Sequence, residues 1–200
     1  MVKLKCLCKL VCLFVVSAFS PQVSYGNGDK AFSFIVVADT AYKVPHDYPS
    51  YDKLIGKINA EKPAFTIHLG DVFSGQTDCG SPQIERVKTD FGKYTHPVVY
   101  TPGDNEWTDC HRPDAGGYDP VERLENLRRL FFAAGHSLGQ GRLCAVSQAD
   151  AGLIENARWV QGDVLFATLH IVGSNNGYTA DEGSEFVHRN QANMRWIKEA

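Results

Sequence analysis

The chain has 200 residues, with 23 Asp and Glu against 20 Lys and Arg and a formal net charge of −3. A mildly acidic chain does not advertise a nucleic-acid or anionic-membrane surface, so no nucleic-acid partner is expected. The length fits one domain able to bury a proper core, and no internal repeat, low-complexity tract or interdomain linker divides it.

The first stretch reads as an address. Lys3, Lys5 and Lys9 precede the apolar run Leu10 to Phe19, and small and turn-forming residues follow up to Gly26. This is the tripartite layout of a secretory signal peptide, and the run is shorter than the about 20 residues that a membrane span needs. Cleavage after Ala18 and cleavage after Gly26 both suit the small residues near the cut. Cys6, Cys8 and Cys12 lie inside this segment, none behind the small residue that a lipid-modified cysteine wants. Residues 1–26 carry three lysines and no acid, so their removal leaves residues 27–200 as one domain of charge −6. The expected location is secreted or periplasmic, with no stable membrane anchor after cleavage; an uncleaved anchor is the alternative.

The remainder alternates strand and helix. Phe32 to Ala38 reads as a buried strand that runs into Asp39, followed by a polar loop with Pro45 and Pro49. Tyr51, Leu54, Ile55 and Ile58 recur at helical spacing and predict an amphipathic helix packed on the core. A second strand, Ala64 to Leu69, leads to Gly70 and Asp71; Pro82 then opens a helix with Ile84, Val87 and Phe91 facing inward. The third strand, Pro97 to Thr101, stops at Pro102-Gly103-Asp104-Asn105-Glu106-Trp107. Asp119 and Pro120 start another helix as N-cap and first-turn proline. Beyond Gly135 the pattern weakens. Asn156–Val160 reads as an edge strand in a hairpin with Val164–Val172, Gly173–Gly177 as a turn cluster, and Val187–Ala200 as a helix with Met194, Ile197 and Trp196 on its inner side.

The three strand-end acids are spaced 32 and 33 residues apart, about one strand–helix–strand unit each. Such a rhythm delivers Asp39, Asp71 and Asp104 to one carboxyl edge of a sheet, where ligands and metals usually sit. Three carboxylates there repel unless a cation neutralises them or one takes up a proton, so a metal site is the economical reading. Asp71, the middle one, could bridge two ions. An oxygen-rich set with few imidazoles suits Mg²⁺, Mn²⁺ or Ca²⁺ better than Zn²⁺. Of the cysteines after residue 26, Cys79 and Cys110 follow Asp71 and Asp104 by similar distances, which favours their pairing over Cys144; inert buried thiols remain the alternative.

These motifs, Asp39-Thr40-Ala41, Gly70-Asp71 and Gly103-Asp104-Asn105-Glu106, resemble the metallophosphoesterase, or calcineurin-like phosphoesterase, superfamily over about residues 31–200. The Pro-Gly-Asp-Asn-Glu-Trp run is similar to that of a divergent secreted subgroup. The resemblance implies an α/β sandwich of two mixed sheets flanked by helices. It also implies a two-metal centre that hydrolyses a small phosphate monoester or diester, and the oxygen-rich ligand set favours Mg²⁺ or Mn²⁺ as the divalent metal there. It assigns Asp39, Asp71 and Asp104 as ligands and makes Asn105 the residue that orients the phosphate.

The departures are specific. The family's Asp-x-His motif has Ala41 at the histidine position, and the histidine that usually protonates the leaving group is Asn105, which is neither acid nor base near neutral pH. The chain stops at Ala200, before the family's later histidine motifs are expected, so either it is a fragment of a longer protein or the second half of the site is absent. His68 and His170 read as structural strand histidines. His111 and Arg112, after the third motif, are candidates to place a cation over a phosphate, and Tyr42 is a candidate substitute for the missing histidine. The alternative to an enzyme is a degenerate secreted binding or scaffold protein that kept the fold.

Overall fold

The computed structural model describes residues 31–132 and 137–200; the expected signal peptide, with Cys6, Cys8 and Cys12, lies outside the described residues. Three short apolar segments, β1 (Phe34–Val37), β2 (Phe65–His68) and β3 (Pro97–Tyr100), lie parallel in the order β1-β2-β3. Each is joined to the next through a helix, α1 (Tyr48–Glu61) or α2 (Ser81–Phe91). The two-residue β4 (Leu138–Gly139) adds antiparallel to β3 and makes the sheet mixed. A second sheet holds β5 (Val146–Gln148), β6 (Leu153–Gln161) and β7 (Val164–Ala167) in that order. This second sheet is wholly antiparallel, not mixed as expected, because its strands follow one another through short turns. Asn156–Val160 is accordingly part of a central strand rather than an edge, since β5 pairs on its other side.

Residue alternation decides which layer each side chain joins. Phe65 and Val99 face the second sheet and meet Trp159 and Phe166, with the Phe65 ring 5.3 Å from Trp159 and 5.0 Å from Phe166. Val98 and Tyr100 point the other way, into the larger core with Ile55, Ile58, Ile84, Phe91 and Leu124. Local signals set the helix ends. Pro82 stands in the first turn of α2. The Asp119 carboxylate accepts from Glu122 N at 2.8 Å and caps α3 (Pro120–Leu127), which runs on into a π turn, Arg128–Phe132. Tyr51, Ile55 and Ile58 are buried as expected, but Leu54 stays 38% exposed at the rim of the stripe.

The C-terminal helix (Glu185–Glu199), capped by Ser184, buries a different face from the expected one. Trp196 is inside, while Met194 and Ile197 are about half exposed; the inner stripe is Arg189, Ala192, Asn193 and Trp196. The partners explain this. Asn156 Nδ2 donates to Gln148 Oε1 and Asn193 Oδ1, and Gln148 Nε2 donates to Ala192 O, so the helix docks on a buried polar network. Among the described residues no helix is long and apolar enough to cross a membrane.

Candidate metal centre

Strand register brings the motifs together. Val37 pairs with His68 and His68 with Tyr100, so the three strands end level and their following loops leave the same edge. The loops are then stitched to one another, with Leu69 N bonded to Val37 O, Thr101 N to His68 O and Thr40 N to Asp71 O. Asp39 (φ 55°), Ala41 (φ 60°) and Asp71 (φ 53°) are all held in the left-handed region, which non-glycine residues adopt at a cost and which clusters at functional sites. Gly70 and Gly103 allow the second and third loops to touch: a Cβ on Gly70 would lie 2.1 Å from Gly103 N, and one on Gly103 would lie 2.1 Å from Asp71 Oδ1.

Glu106 ties this arrangement from below. Fully buried, it accepts from Gly103 N (3.0 Å) and Tyr100 Oη (2.9 Å) on one oxygen and from Asp71 N (3.1 Å) on the other. Burial pushes its carboxyl up to about 7 against the pull of these donors, and the charge of Asp71 adds to the rise. Its role is to lock the second motif to the third.

The acids themselves form a bridged group. The Tyr42 hydroxyl donates to Asp39 Oδ1 at 2.7 Å and lies 3.3 Å from Asp71 Oδ2. Burial, the bond to Asp39 and the charges of both carboxylates hold this phenol well above its ordinary value, so it stays protonated. The Asp71 carboxyl rises to about 6, first through burial and then through the neighbouring Asp104, with Asp39 contributing. Asp104 reaches the loop after residue 172: a Cβ on Gly173 would lie 2.3 Å from Asp104 Oδ2. That loop turns left-handed through Ser174, Asn175 and Asn176, and the buried Arg189 anchors it through Asn176 Oδ1 and O and through His170 O.

The other expected site residues are placed as follows. Asn105 is buried; its amide donates to Phe73 O at 2.8 Å and to Tyr42 Oη at 3.2 Å, which braces Tyr42 over the carboxylates. Arg112 pairs with Asp109 at 2.7 Å and lies 3.5 Å from Gly75 O, so it stands at the rim of the loop after Asp71. His111 is exposed and donates from Nδ1 to Thr108 O at 2.6 Å. Cys79 and Cys110 are disulfide-bonded, their Cα atoms 5.8 Å apart, which joins the loops of the second and third motifs; Cys144 is exposed and outside the bridge. His68 is fully buried on the helix side, 3.1 Å from Thr40 Oγ1, and desolvation lowers it to about 4. His170 is buried as well, with Nδ1 2.8 Å from Glu155, and Arg128 forks onto that same carboxylate. Neither histidine joins the carboxylate group.

Asp109, not singled out in the sequence, belongs with the site. It is buried, and burial followed by the charge of Asp104 raises it while Arg112 opposes the rise.

A hard divalent cation suits these donors. Among the described residues no Lys, Arg or His pairs with Asp39, Asp71 or Asp104, and a single phenolic hydroxyl is shared by the first two. Among the described residues no group of three or more His, Cys, Asp or Glu side chains is arranged, as it stands, to hold a metal ion. The family model for calcineurin-like phosphoesterases matches residues 32–194, nearly the whole described chain. No curated protein and no solved structure gives a match.

Proposed function

The chain belongs to the calcineurin-like phosphoesterase family, and from that premise we propose that its sheet edge binds a divalent cation and hydrolyses a phosphate monoester or diester. The observation that carries this reading is the group Asp39, Asp71 and Asp104, gathered at one edge without a basic partner, with Asp71 held up at about 6. These three would hold the ion, Mg²⁺ or Mn²⁺ by ligand type, with a second ion accommodated if Asp71 bridges. A bound cation would supply charge neutralisation toward the phosphoryl oxygens and Lewis acidity toward water. The chain's own residues do the rest. Asn105 would orient a phosphate oxygen by exchanging its bond to Tyr42 Oη for one to the phosphate, Arg112 offers positive charge from the rim, and the Glu106 clamp keeps the motifs in register. Export to an oxidising compartment is part of the proposal and is supported by the Cys79–Cys110 bridge.

A second reading has its own observation. Ala41 replaces one expected imidazole, and Asn105 replaces another while spending its amide on Phe73 and Tyr42, so among the described residues no imidazole acid stands at the carboxylates to protonate a leaving group. A catalytically degenerate binding or scaffold protein fits that. The test is hydrolysis of 4-nitrophenyl phosphate and bis(4-nitrophenyl) phosphate with Mn²⁺ or Mg²⁺. Turnover that needs the metal and vanishes in Asp71→Asn supports the enzyme; no turnover with either ester and either ion sinks it in favour of the binding protein.

A further inference from the structure

A cleft of about 830 Å³, within the usual size range of small-molecule sites, opens between the loops that follow Asp39 and Asp71. Tyr42 connects it to the carboxylates, since Tyr42 lines the cleft while its hydroxyl touches Asp39 and Asp71. Lys43 continues that wall, Ser74 and Thr77 come from the opposite loop, and Gln83 and Tyr118 close the far end. The walls are held in place. The Cys79–Cys110 bridge pins the second loop, Ser74 Oγ lies 3.1 Å from Thr77 Oγ1, and Asp78 accepts from Gly80 N and Tyr118 Oη. None of the three acids lines this space, so the alcohol half of a phosphoester seated at them would enter it past Tyr42.

The lining says which alcohol. Seven of the twelve lining residues carry a hydroxyl or a side-chain amide, Val44 and Pro82 add apolar surface, and there is one cation, Lys43, and one anion, Asp78. A second phosphate would meet the Asp78 carboxylate, and an acyl chain would cover hydroxyls and amides without pairing them. Gln83 carries the sharper sign. Its Oε1 accepts from Tyr48 Oη at 2.9 Å, which fixes the amide, while its buried Nε2 has no partner. A buried donor without an acceptor is unfavourable, and a turn of the Gln83 side chain toward the cleft would let a substrate hydroxyl satisfy it.

We propose that this cleft recognises the hydroxyl-rich alcohol of the substrate, a polyol or sugar phosphoester, through Gln83 and the neighbouring hydroxyls. The proposal rests on the phosphoesterase reading above. The test is calorimetric titration of the full chain, loaded with Mn²⁺, with two phosphonates that have no ester bond to break, 3,4-dihydroxybutylphosphonate and benzylphosphonate. The diol is expected to bind about tenfold tighter, the effect of one or two net hydrogen bonds, and Gln83→Met is expected to remove that preference, with Thr77→Val reducing it as a second variant. Equal affinity for both phosphonates, or a preference that survives Gln83→Met, overturns this inference and leaves the phosphoesterase reading standing. No binding of either phosphonate overturns both.

Discussion

Asp71→Asn should stabilise the metal-free protein at neutral pH. The substitution keeps size and shape, and Asn tolerates the left-handed backbone at φ 53° at least as well as Asp does. Its single side-chain oxygen keeps one of the carboxylate's two acceptor contacts, with Tyr42 Oη at 3.3 Å or with Asn105 N at 3.5 Å, and the one given up is long in either case. What it removes is a charge that burial and Asp104 disfavour. The carboxyl is raised from 3.8 to about 6 in the folded chain, so between those values the folded state binds more protons than the unfolded one. The wild type therefore loses stability as pH rises through that window and does not regain it above. A gap of about two pH units corresponds to about 3 kcal/mol, and because Asp71 is only half buried, solvent screening reduces this to about 1–2 kcal/mol. For a domain of this size that raises the melting temperature by about 2–8 °C. Thermal melts in a chelator, at pH 7.5 and at pH 4, are the assay. The variant should melt higher at pH 7.5 and level with wild type near pH 4. A lower melting temperature at pH 7.5, or a gain that does not depend on pH, would refute the electrostatic account of the site.

Three further outcomes follow from other parts of the molecule. Replacing Cys79 and Cys110 by Ser releases a loop of 31-residue separation, which should lower stability by about 3–4 kcal/mol in urea titrations and loosen the wall beside Asn105. His68 has a folded value of about 4 against 6.5, so it stays neutral while the unfolded chain takes up a proton; stability should fall by up to about 3 kcal/mol as pH drops from 6.5 to 4, and His68→Gln should flatten that slope. Arg189→Met leaves Glu185 and the Asn176 carbonyl without their donor and the His170 carbonyl with Asn193 Nδ2 alone, which should cost about 3–5 kcal/mol by chemical denaturation and free the turn that abuts Asp104.

The first half of the fold was legible because its signals are local and strong. Three apolar strands each end in an acid, Asp119-Pro120 starts a helix, and even spacing alone indicated that Asp39, Asp71 and Asp104 share an edge. The second half was not. β4 has two residues and β5 three, too short for any periodicity to register, and without β5 the long β6 looked like an edge. The C-terminal helix misled for a chemical reason: hydrophobicity points to Met194 and Ile197, yet the helix docks through Arg189 and Asn193 on a polar network whose other members lie elsewhere in the chain. Glu106 stood within the recognised motif, but its function as a clamp depends on Asp71, 35 residues earlier, and on Tyr100. The approach of Gly173 to Asp104 is likewise a product of tertiary packing, with no local mark in the sequence.

Cation binding by the strand-end carboxylates is the property on which the proposed hydrolysis depends. Calorimetric titration of Mn²⁺ into the wild-type chain, Asp71→Asn and Asp104→Asn measures it. Saturable binding in the wild type that is abolished in Asp71→Asn and weakened in Asp104→Asn is the predicted result. Absence of binding in the wild type, or equal binding in all three proteins, would contradict it.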